Sequence, residues 1–159
     1  MGLAANISEK ANLIWAIADK LTGAYKPHEY GEVILPLTVI RRFDCILEGT
    51  KDAVLARNRE INNLALKDVL LKKAARYPFY NISKFTFKKL IAEPDQIEAN
   101  FRDYLNGFSP ELREIIEKFN FDVHIGRLVD KGLLYIVLQE VTTPKADLHP
   151  DKISNLEMG

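Results

Sequence analysis

The sequence predicts an all-α protein, a compact multi-helix domain with at most one short β element near 79–85. Three observations carry that prediction. Apolar residues return at helical spacing through most of the chain. Prolines and glycines stand where helices should start and stop, and aromatic or β-branched clustering is confined to one short stretch. The 159 residues amount to about one domain. An apolar fraction of 47% against 28% charged is ordinary for a chain that folds around a core, and argues against disorder.

Taken in order, Ile7, Ala11, Ile14, Ala18 and Leu21 form the stripe of a first helix, with Ser8 as its expected N-cap and Gly23 as its stop. Pro27 suits the first turn of a second helix that runs to about Glu48 and closes at Gly49. Its middle, Val33 to Ile40, is apolar nearly all round and should be buried on most sides. Pro36 inside that run predicts a kink or a broken first turn. Helices over roughly 51–61 and 66–76 follow, separated at Asn62-Asn63. Tyr77 to Ser83, with Pro78 inside it, reads as extended.

Helical spacing then resumes with Phe87, Leu90 and Ile91, ended by Pro94. Asp95 with Glu98 resembles a capping box for a helix on Ile97, Phe101, Tyr104 and Leu105, stopped by Gly107. Ser109 and Pro110 are the expected N-cap and first residue of a helix on Leu112, Ile115, Ile116 and Phe119. Phe121, Ile125, Leu128 and Val129 make the next face, closed by Gly132. The run Leu133 to Val141 fits a buried strand or a buried helix; its stripe of Leu134, Val137, Leu138 and Val141, between helices, favours helix.

Several functions are excluded or made improbable. The longest apolar run, Leu133 to Leu138, is far too short to cross a membrane. A single cysteine, Cys45, cannot form an internal disulfide, which fits a reducing and hence cytoplasmic location. It reads as a small buried hydrophobe. The eight glycines never fall within two residues of each other, so no dinucleotide, phosphate or S-adenosylmethionine loop is present. His28, His124 and His149 are scattered and no cysteine pair exists, which leaves no zinc site and no metal expected. An independent enzyme would need a polar cleft where His28 or His124 meets carboxylates.

Charge is the positive signal. The 22 basic and 22 acidic residues cancel, yet they are segregated. Residues 67–89 hold seven basic side chains against Asp68 alone, and residues 93–123 hold three against eight acidic ones. The candidate DNA-binding residues are Lys72, Lys73, Arg76, Lys84, Lys88 and Lys89, interleaved with Tyr77, Phe79 and Tyr80. That mixture suits phosphate contact with stacking. It equally suits a solvated helical face with its aromatics in the core. Arg41 and Arg42 pose the same question, with a buried structural ion pair as the alternative.

Particular segments then narrow the reading. Asn12 to Asp19 resembles the opening helix of the modification subunit of type I restriction-modification systems. Tyr30 to Asp44 resembles that family's second helix, and Phe79-Tyr80-Asn81, Phe101 to Phe108 and Ile115 to Phe119 are similar to family segments in the same order. The resemblance implies a helical N-terminal domain over 1–150, with 151–159 as the start of a helix leading into a catalytic domain that this chain lacks. It implies a parent that methylates adenine N6 in double-stranded DNA from S-adenosylmethionine. It also implies partners: a specificity subunit, a second modification subunit and, in the full nuclease, restriction subunits. The family's Asn-Pro-Pro-aromatic motif is missing, as no two prolines are adjacent, so the resemblance carries over no catalytic or cofactor residue. The expected role of this piece is to clasp DNA and assemble with partners, or to bind protein alone.

Overall fold

A computed structural model describes the backbone of residues 3–142 and the side chains of residues 11–142. Its elements are α1 (Leu3–Leu21), α2 (Tyr30–Leu47), α3 (Lys51–Glu60), α4 (Leu64–Ala75), α5 (Phe87–Ile91), α6 (Ile97–Asn106), α7 (Pro110–Lys118), α8 (Phe121–Asp130) and α9 (Leu134–Val141). Short 3-10 turns at Pro27–Glu29, Glu48–Thr50 and Pro94–Gln96 lead into α2, α3 and α6. The protein is all-α. The lead-in expected over 151–159 lies outside the described residues.

The differences from expectation lie mostly at element boundaries. Ser8 is inside α1 and not its cap, because Leu3-Ala4-Ala5 already favours helix. The second helix runs unbroken past Pro36. A proline there costs about 3 kcal/mol. Val33, Leu37 and Ile40 are at most 1% exposed, and each such burial returns about 1.5–3 kcal/mol, so burial wins. Asp95 does not cap α6, which starts after a 3-10 turn from Gln96, and Glu98 instead meets Arg102 at 3.2 Å.

The β element shrinks to one isolated antiparallel bridge, Asn81 opposite Phe108. Ile82 N–H donates to Gly107 O at 2.8 Å and Ser109 N–H to Tyr80 O at 2.9 Å. The ladder goes no further because side chains take the next donors: Ser83 N–H goes to Asn81 Oδ1 and Phe85 N–H to Ser83 Oγ. Gly107 is required here by proximity. A Cβ on it would lie 2.6 Å from Ser83 N and 2.9 Å from Asn81 Oδ1.

Contacts divide the chain into two units, one of residues up to Ile46 with those from Phe119 onward, the other Leu47–Lys118. In the first unit α1 and α8 both pack on α9, burying Ile17, Leu21, Ile125, Leu128, Val137 and Leu138. Gly132, at φ 68°, ends α8 in the left-handed conformation that glycine adopts without penalty. In the second unit α3 packs on α4 and α5 on α6. Its centre is aromatic: Phe87 meets Phe101 and Tyr104 edge-on at 6.1 and 5.7 Å, and Tyr104 meets Phe108 at 5.1 Å. Lys51 is buried beside this cluster, donating to Asn81 Oδ1 at 2.8 Å with its ammonium 5.6 Å from the Tyr104 ring.

Candidate nucleic-acid interface

The candidate cations separate into three environments. Arg41 is 4% exposed; it donates to Asp44 Oδ2 at 2.6 Å and to the Val141 carbonyl at 3.1 Å. It therefore ties α2 to the C-terminal end of α9, whose last carbonyls lack helical partners. A phosphate cannot reach it, and Arg41 leaves the DNA-facing set. The cause is the burial of α2 around it, where Leu37, Ile40, Asp44 and Cys45 are all covered, which turns even an arginine inward. Arg42 is half-buried on the same helix.

The second group lies in the Leu47–Lys118 unit and is already matched by carboxylates. Lys72 Nζ sits 2.8 Å from both Asp68 and Glu111. Those two hydrogen bonds raise its pKa above the usual lysine range, and Lys72 in turn lowers Asp68 and Glu111. Lys88 meets Glu48 at 3.1 Å.

The third group is exposed and has no ion pair among the described residues: Lys73, Arg76, Lys84 and Lys89. Thr86 caps α5 by accepting the Lys89 N–H at 3.3 Å, and the Lys89 ammonium reaches back to the Lys84 carbonyl at 3.5 Å. Lys84 lies over the Phe85 ring at 5.2 Å. One turn thus carries two ammonium groups unmatched by acid. Arg76 ends α4 at φ 65°, a left-handed conformation costing an arginine about 1–2 kcal/mol.

The aromatics divide similarly. Tyr80 is buried and donates its phenol proton to Asp68 at 3.0 Å; burial, then that carboxylate, pushes its pKa up to about 12. It belongs to the core. Tyr77 is 38% exposed and stacks on Phe79 with ring centres 5.4 Å apart.

The meeting of His124 with a carboxylate that an independent enzyme would need does form in the other unit, beside Tyr25, which lies 99 residues from His124 along the chain. His124 Nδ1 lies 3.3 Å from the Tyr25 hydroxyl and Nε2 3.4 Å from Glu32. Both Tyr25 and His124 are buried, and burial raises the Tyr25 pKa, so this phenol keeps its proton and makes a poor nucleophile. Arg127 completes the cluster, 3.9 Å over the Tyr25 ring and paired with Glu29 at 2.8 Å. This is a structural knot. The groove in that unit, about 420 Å³, is apolar and lined by Ile14, Trp15, Ala18, Tyr30, Ile34 and Leu35 among others. Among the described residues no group of three or more His, Cys, Asp or Glu could hold a metal, and no helix is long and apolar enough to cross a membrane.

The family model described as "HsdM N-terminal domain" matches residues 10–141. Comparison with curated proteins and with solved structures returned no match. The match covers most of the chain, and the chain belongs to that family, the N-terminal domain of the type I restriction-modification M subunit.

Proposed function

We propose that this M-subunit domain clasps double-stranded DNA and takes part in subunit assembly within a type I adenine-N6 methyltransferase. The observation that supports DNA contact is the pair Lys84 and Lys89, exposed on one turn and unmatched by any carboxylate among the described residues. Lysines so placed release counterions from the phosphate backbone without reading sequence. Target choice then falls to the specificity subunit, the second modification subunit completes the clasp, and restriction subunits join in the nuclease.

S-adenosylmethionine is the methyl donor of the parent enzyme in this reading. Its ammonium, carboxylate and ribose hydroxyls need polar partners, and the groove beside Trp15 supplies almost none.

The test is duplex binding across a salt series by the assembled methyltransferase carrying Lys84→Gln and Lys89→Gln. Affinity should fall for every sequence, and the slope of log affinity against log salt should shrink by roughly 2 for each modification subunit that grips the duplex, one phosphate per lysine. An unchanged slope rules this turn out. A second reading, a purely protein-binding domain, would then stand; the 74% exposure of Trp15 at the rim of an apolar groove favours it.

A further inference from the structure

The outward face of α4 combines apolar and cationic side chains in one line. Leu66, Val69 and Lys73 are spaced by three and four residues and share a stripe, and Arg76 stands just beyond it at the left-handed helix end. The opposite side of the helix carries Leu71 and Ala75, both at most 1% exposed. On the stripe, Leu66 is 53% and Val69 59% exposed, although each would gain by leaving water. Lys73 and Arg76 are exposed and have no acidic partner among the described residues.

From this we infer that the stripe docks an acidic amphipathic helix of a partner protein. Charge complementarity identifies the occupant. Two unmatched cations ask for carboxylates, while Leu66 and Val69 ask for apolar side chains at helical spacing. The flank of the same helix already carries one such acidic contact. There α7, which buries Leu112 and Ile116 and exposes Glu111, Glu114 and Glu117, sets Glu111 on Lys72 at 2.8 Å. The outer stripe repeats that chemistry with its own cations. A DNA backbone would leave Leu66 and Val69 without a complement. The inference rests on the assembly half of the proposed function and is independent of its DNA half.

The probe is a fluorescein-labelled amphipathic peptide with leucines at helical spacing and glutamates between them, titrated into the full chain and read by anisotropy. A second peptide carries lysine in place of glutamate. The chain should bind the glutamate peptide and not the lysine one. Val69→Asp, Lys73→Glu and Arg76→Gly should each weaken it roughly tenfold or more. Arg76→Gly is the cleanest variant, because glycine is favoured at a left-handed helix end and the fold should lose no stability in thermal melts.

No binding by the unaltered chain, equal binding of both peptides, or affinity indifferent to all three substitutions overturns the inference. So does duplex DNA that displaces the peptide and itself binds more weakly to Val69→Asp, which would make the stripe a nucleic-acid surface. Self-association that Val69→Asp abolishes would assign it to a second copy and equally overturn the inference. The salt slope set by Lys84 and Lys89 is a separate readout, so failure of one proposal leaves the other distinguishable.

Discussion

Arg41-Arg42 on α2 and Lys88-Lys89 on α5 are the same signal in sequence, two adjacent cations on a helix. In the folded chain they are opposites. Arg41 is 4% exposed and holds Asp44 and the end of α9, whereas both lysines are exposed and Lys88 keeps only a surface contact with Glu48. The difference lies in the helix around them. α2 buries Leu37, Ile40, Asp44 and Cys45 around Arg41, so a cation at that position must find an internal partner or not be tolerated. α5 buries Phe87 and Leu90 and leaves its other side to solvent. Adjacent cations therefore report a binding surface only where their helix has a wet face.

Removing the pairs in order of burial tests this contrast. Arg41→Ala should have the largest effect, about 3–5 kcal/mol in urea denaturation, since it removes the cation from a buried ion pair. Replacing both partners, Arg41→Met with Asp44→Leu, should recover most of that loss; if it recovered none, the Val141 contact and not the ion pair would be the main restraint.

Intermediate in burial is Glu29, whose carboxyl is held at about 2 by hydrogen bonds from Arg127 and from the Lys26 backbone N–H. A depressed carboxyl stabilises the fold above its unfolded pKa near 4.5, and that stabilisation is lost as pH falls through about 2. Melting temperature measured against pH should therefore show a gap between the unaltered chain and Glu29→Gln at neutral pH that closes in this acid window. A gap independent of pH would mean the glutamate acts by packing alone.

The smallest effect belongs to Lys88→Ala. Its pair with Glu48 is 66% and 36% exposed, so the loss should be at most about 1 kcal/mol. A larger drop in thermal stability would break the contrast from the exposed side.

The elements themselves were legible because their signals are local. Apolar spacing placed the helices, Gly23 and Gly132 marked two ends by their left-handed backbone, and the ambiguous run after Leu133 is indeed helix. Local signals failed where distant residues compete for the same groups. The capping box at Asp95 lost Glu98 to Arg102, and extended pairing near Asn81 stopped because Asn81 and Ser83 side chains took the next N–H donors. Lys51 gave no warning of its burial, since its partners Asn81 and Tyr104 lie far along the chain.

The sequence by itself determined the helical class, the family and the existence of a basic segment, because periodicity, ordered similarity and composition are properties of a linear string. Only the tertiary structure decided which cations remain available. Lys72 is matched by Glu111, 39 residues away, and Arg41 by a carbonyl 100 residues away, while Lys84 and Lys89 meet no acid among the described residues. Charge is carried by residues, but whether it is matched depends on distance in space, and distance in space is what folding sets.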